Sequence, residues 1–181
     1  KDIFLWSGIY RNDFIKKIRL HESPGAAFQD FGGLLQTQMN AEKAIYISQP
    51  FYEYRQDNIN ASGFNKNGFH FIADEYAFAA TFLEGKARKW YRFFYKKMFL
   101  QTLDRFYAMG ASGEFWKKSE GDMWELSARV KEALDKQIIN EQDFLAEDWK
   151  NLQLFLDNPY KLYESCLVRC LNQKGELLRV F

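Results

Sequence analysis

Cysteine, proline and glycine are all scarce in this chain of 181 residues, which holds 2 Cys, 3 Pro and 11 Gly. Two cysteines do not make a disulfide scaffold, so a reducing compartment is the default expectation. So little proline and glycine favours long regular elements over loops. Long apolar runs are missing as well. None approaches the roughly 18 residues that a spanning helix needs, and mean hydropathy is −0.46. Nor is there a surplus of one charge: 25 Lys+Arg stand against 24 Asp+Glu, a net +1. No global field therefore recruits nucleic acid or a membrane.

Aromatic residues, in contrast, are abundant. The 5 Trp, 10 Tyr and 18 Phe exclude a disordered chain, and the length suffices for one domain with a real core or two very small ones. The sequence opens on Lys1-Asp2-Ile3-Phe4-Leu5-Trp6, already inside a dense apolar pattern. No basic region followed by an apolar stretch marks a signal peptide there. The opening reads as that of a piece excised from something longer.

Two textures divide the chain. Residues 1–64 mix short β-prone runs with loops. Ala44-Ile45-Tyr46-Ile47-Ser48 and Phe51-Tyr52-Glu53-Tyr54 read as two strands broken by Pro50, which cannot donate to a ladder. Asp30 to about Ala41 reads as a helix, with Asp30 as N-cap after the turn-forming Ser23-Pro24-Gly25. Gln56 to Gly68 is a polar loop. From about His70 onward, in the second part of the chain (65–181), the sequence reads as helices almost without relief: about Asp74 to Glu84, Lys86 to Met109, Phe115 to Gln137, Ala146 to Leu156 and Pro159 to Leu171. Gly85 and Gly110 supply stop signals, Gly121 a weak point, and Asn158-Pro159 a break with proline at the first helical position. The expected fold class is α+β, mostly α: a short strand/loop piece followed by a helical bundle.

Few side-chain clusters suggest chemistry. His21 and His70 stand far apart, and Cys166 and Cys170 share a helix face without a third ligand, so no metal site is expected in this chain. No phosphate-binding glycine loop or nucleophile elbow occurs, and the sequon Asn60-Ala61-Ser62 reads as coincidence. The stretch Pro24 to Gly33 is more informative. Gly32 and Gly33 fall in the first turn of a helix, at about 1 kcal/mol each relative to Ala, which suggests that something approaches the backbone closely. Asp30 at that mouth could serve as a general base toward a bound hydroxyl, or simply as an N-cap beside glycines that ease packing. Arg55 beside Asp57 and Asn58 suits a phosphate or sugar hydroxyls, although Asp57 and Asn58 equally suit an Asx turn.

Charge is also unevenly spread. Lys86, Arg88, Lys89, Arg92, Lys96 and Lys97 lie in twelve residues with no acid, so the rest of the chain nets 1 − 6 = −5. On a helix, Trp90, Tyr91, Phe94, Tyr95 and Met98 take one side while Arg88, Lys89, Arg92 and Lys96 take the other. Such a helix can lie on an anionic membrane surface or a partner, or be a core helix with a solvated face.

The order of the motifs carries a resemblance. Trp6-Ser7-Gly8-Ile9-Tyr10-Arg11 and Phe14 are followed by Glu22-Ser23-Pro24-Gly25-Ala26-Ala27-Phe28-Gln29-Asp30, then by Tyr54-Arg55-Gln56-Asp57-Asn58 and Ser62. Together these resemble the second half of a bacterial family 2 glycosyltransferase domain, of the type that builds surface polysaccharides. Asp74-Glu75-Tyr76, Glu147-Asp148-Trp149-Lys150 and Asn158-Pro159 resemble the helical C-terminal extension of that group. The resemblance implies that residues 1–64 are the acceptor-side half of a GT-A domain and 65–181 the extension. It implies an inverting transfer from a nucleotide-sugar donor to a glycan or lipid-linked acceptor, at the cytoplasmic side, peripheral to the inner membrane face. Asp30 matches the second acid of the family's acidic pair, which acts as catalytic base; Gln29 replaces the first. Trp6, Arg55, Asp57 and Asn58 become candidates for acceptor or phosphate contact.

The donor half of that family carries a divalent metal, Mg or Mn, on an Asp-x-Asp motif that these 181 residues lack. A metal-bound nucleotide diphosphate leaves without a proton, so one base suffices. A positioned base supplies about 10²–10⁴-fold, against about 10⁶-fold or more for an enzyme. The chain alone is therefore expected to be inactive and the intact parent to be the enzyme. Self-association is expected of a piece that exposes surface meant to be covered. The alternative from another class is a non-catalytic helical module that docks on a membrane surface or partner protein.

Overall fold

The computed structural model describes residues 5–22, 28–53, 68–109 and 113–172. A 3-10 turn at Leu5–Ser7 leads to α1 (Asn12–Ile15) and α2 (Asp30–Asn40). Then come α3 (Gly68–Ala80), α4 (Arg88–Met109), α5 (Gly113–Asp135), α6 (Ala146–Asp157) and α7 (Pro159–Asn172).

No strand occurs among the described residues, and this corrects the expected α+β class. Ala44–Ser48 takes no strand conformation and lies exposed, with Ile45 90% and Tyr46 69% open to solvent. The described part of the second expected strand, 51–53, is likewise exposed; Tyr54 lies outside the described residues. The physical reason is that β-propensity measures fit to a neighbouring strand and a buried face. An isolated pair is marginal in water, and Pro50 removes one donor from it. What forms instead is an extended arm over 41–53.

The helical bundle follows the sequence more closely. α3 starts six residues before the expected Asp74, because Phe69, Ile72, Ala73, Tyr76 and Ala79 already form one buried stripe. It ends at Ala80, and the chain turns through Gly85 at φ 70, a left-handed position suited to glycine. α5 runs unbroken through the exposed Gly121. Its end is a Schellman turn: Ile138 N–H bonds Ala133 O at 2.8 Å and Gln137 N–H bonds Leu134 O at 2.8 Å, with Gln137 left-handed at φ 54. At α7 the Asn158 side chain accepts Tyr160 N–H at 2.9 Å, so Asn158-Pro159 is a capped helix start.

Aromatic rings carry the core. Phe31 of α2 lies 4.4 Å from Tyr76 of α3, centroid to centroid, and Tyr76 meets Phe94 of α4 edge-on at 5.2 Å. Phe69, Phe106 and Phe155 continue the contacts from α3 through α4 to α6. Each such pair adds about 0.5–1.5 kcal/mol beyond its buried area. Through Phe31 and Leu35, α2 shares this core with the bundle.

Candidate functional site: the first turn of α2

Asp30 is the first residue of α2, and the N-cap is Gln29, in a helical conformation with a side chain that does not cap. The expected Asp30 cap is thus displaced by one residue. The N–H that a cap would satisfy is served from another helix: Glu75 Oε1 on α3 accepts Gly32 N–H at 2.6 Å. Glu75 is fully buried, and its second oxygen lies 3.3 Å from His21 Nδ1. His21 Nε2 lies 3.5 Å from Asp74 Oδ2, and its ring stacks on Phe78 at 4.8 Å.

The paired glycines have a packing cause. A Cβ on Gly32 would stand 2.9 Å from Glu75 Oε1 and 3.2 Å from the Phe78 ring. A Cβ on Gly33 would stand 2.7 Å from Leu20 and 3.0 Å from Leu5. What approaches the backbone is the protein itself. Buried Gln36 fixes the same surface, accepting Arg19 N–H at 3.0 Å and donating to Arg19 O at 2.6 Å. Phe28, two residues before Asp30, is held at φ 69, with the Arg105 guanidinium 5.4 Å from its ring centre. An aromatic residue in that region is strained and persists only where packing over-determines it.

Electrostatics set the mouth apart. Asp30 keeps solvent contact, yet burial pushes its carboxyl above the usual aspartate range, opposed by its own N–H and by Lys97. Burial pushes Glu75 up to about 8, against the pull of the Gly32 N–H, with Asp30 and Asp74 adding to the rise. A carboxyl so raised is largely protonated at neutral pH.

The other expected site residues are dispersed. Trp6 packs on Tyr52 of the arm, ring centres 5.0 Å apart, while Leu5 of the same turn lies against α2. Arg55, Asp57 and Asn58 lie outside the described residues. On α4, Arg88 donates to Gln137 O, Arg92 pairs with Asp143, and Lys96 lies 5.8 Å from the centre of the Phe144 ring. Asp143 is buried and bonds Asn140 N–H at 2.9 Å, completing a capping box. Three of the four basic residues therefore fasten the α5–α6 connection; Lys89 sits over Trp90 at 4.9 Å.

Glu75 and His21 were missed by sequence reasoning. The signal for Glu75 was an acid at a buried helical register, three residues after Ile72 and four before Ala79. His21 reaches it only through tertiary packing. Among the described residues no group of three His, Cys, Asp or Glu side chains is arranged to hold a metal ion. The cluster itself does not fit one, because Glu75 Oε1 is taken by an amide and its carboxyl is raised. Among the described residues, no helix is long and apolar enough to cross a membrane. Comparison with protein-family models, curated proteins and solved structures finds no significant match.

Proposed function

We propose that this chain forms the acceptor-side part and helical extension of an inverting glycosyltransferase, with Asp30 as its catalytic base. The nucleotide-sugar donor and its divalent metal belong to residues outside these 181. The observation that carries the reading is the state of Asp30: an exposed carboxylate on the first turn of a helix, made more basic than usual by its surroundings. A base is the more effective the nearer its pKa lies to the working pH.

In the proposed step the acceptor oxygen attacks the anomeric carbon and its proton passes to Asp30. The bond to the nucleotide diphosphate breaks, and the diphosphate leaves with the electron pair. Helix α2 is anchored at its third residue by Glu75 and at Gln36 by Arg19, so the Asp30 backbone is fixed. Such fixing is what a positioned base requires.

The test is Asp30→Asn in the intact transferase, assayed with a panel of labelled UDP- and GDP-sugars. Asn keeps the shape but cannot take the proton, so transfer falls by about 10²–10⁴-fold with donor binding unchanged. Surviving transfer would show that another group is the base. Turnover by the 181-residue chain alone would refute the placement of the donor site outside it.

A further inference from the structure

We infer that Glu75 is the positioning residue of Asp30: by capping α2 from α3, it relieves Asp30 of that duty and leaves its carboxylate facing solvent. This rests on Asp30 being the base.

The N–H groups of the first turn have no partner within the helix, and an Asp nearby ordinarily turns back to accept one. An aspartate so engaged is held in its charged form and is a poorer base. Here Phe31 N–H bonds Phe28 O at 3.2 Å and Gly32 N–H bonds Glu75 at 2.6 Å, so these two donors make no claim on the Asp30 carboxyl, which burial raises against the pull of its own N–H. The side chain of Gln29 supplies no cap.

A purely structural role does not account for Glu75. A methionine of similar volume would fill the space between α2 and α3 without burying a carboxyl. What methionine lacks is an acceptor for Gly32 and a polar partner for His21. The groups facing Glu75 are His21 on the 18–22 segment, Asp74 on α3, Asp30 on α2 and the buried Tyr76 of α3, whose hydroxyl burial, Glu75 and Asp30 together hold in its neutral form, with Lys97 of α4 acting on Asp30. In the protonated form Glu75 can donate from Oε2 to His21 Nδ1 while His21 Nε2–H faces Asp74.

The experiment follows the Asp30 carboxyl by carbon-13 NMR through a pH titration of the 181-residue chain, as wild type, Glu75→Gln and Glu75→Met. Gln keeps both the acceptor and a donor, so Asp30 should still titrate above an ordinary aspartate. Its curve should lose the second inflection expected of wild type near pH 8 as Glu75 ionises. Met removes the cap, so Asp30 should turn back to the helix start and titrate at or below the ordinary value. Identical Asp30 titration in all three proteins overturns the inference. Should Glu75→Met fail to fold, the wild-type inflection and its loss in Glu75→Gln decide, and its absence from wild type refutes the coupling.

In the intact transferase, Glu75→Met should lower kcat by about 10²-fold, the scale of a 1 Å misplacement, with donor KM unchanged. Glu75→Gln should keep it. Full activity of Glu75→Met beside an inactive Asp30→Asn defeats this inference alone. An active Asp30→Asn defeats the base assignment instead.

Discussion

Replacing Glu75 by glutamine should make the protein more stable in alkali and leave it nearly unchanged in acid. The sign follows from linkage. Burial raises the Glu75 carboxyl from 4.5 to about 8 in the folded state, so the folded chain holds this proton more tightly than the unfolded one. That contribution is complete below pH 4.5 and is lost as pH climbs through 8. The window spans roughly 3.5 pH units at about 1.4 kcal/mol each, an upper limit of roughly 5 kcal/mol. Glutamine cannot ionise and keeps the Gly32 bond, so it escapes the loss. The assay is urea unfolding of both proteins at pH 5, 7 and 9. Other titrating groups act on both and cancel in the difference. A gap near zero at pH 5 that widens to several kcal/mol at pH 9 is expected, large beside a typical total stability of about 5–15 kcal/mol. A gap constant across the range, or one that closes in alkali, would refute the reasoning.

Two further tests probe packing. Gly32→Ala and Gly121→Ala should have opposite signs in thermal melts. At Gly121 nothing stands within 4 Å, so the helix gains about 0.5–1 kcal/mol; at Gly32 the pinned Glu75 and Phe78 must move, costing about 1–3 kcal/mol before that gain. At about 2–4 °C per kcal/mol for a chain of this size, the two melts should separate clearly, and equal shifts would show that Glu75 is not locked. Arg92→Ala should cost about 1–3 kcal/mol in urea unfolding, because it leaves the buried Asp143 carboxylate without its cation. A neutral result would mean that the α5–α6 connection stands on its capping box alone.

Much of the bundle was legible because its signals are local. Gly85 and Asn158-Pro159 bracket helices whose apolar residues recur at helical spacing, and α4, α6 and α7 begin or end within two residues of expectation. The errors are non-local. Ala44–Ser48 has the composition of a strand but meets no strand among the described residues, and α3 hid its first turn because His70 and Asp74 mask a stripe that starts at Phe69. At the site, Asp30 and the glycines stood out, but their partners did not. Forty-three positions separate Gly32 from Glu75, and no sequence period links them. The basic run on α4 was visible, whereas its pairing with Gln137 and Asp143 across the α5 turn was not.

The arm over 41–53 bears on how the protein stays in solution. Ala44–Ser48 offers an exposed, uncharged and β-prone stretch to any other chain it meets, the kind from which stacked aggregates start. Lys43 and Glu53 bracket it with charge, and Pro50, two residues beyond Ser48, removes a backbone donor beside it. These three residues act as gatekeepers. All three are exposed and outside the core, so their replacement would scarcely alter the fold yet would remove the brakes on self-adhesion.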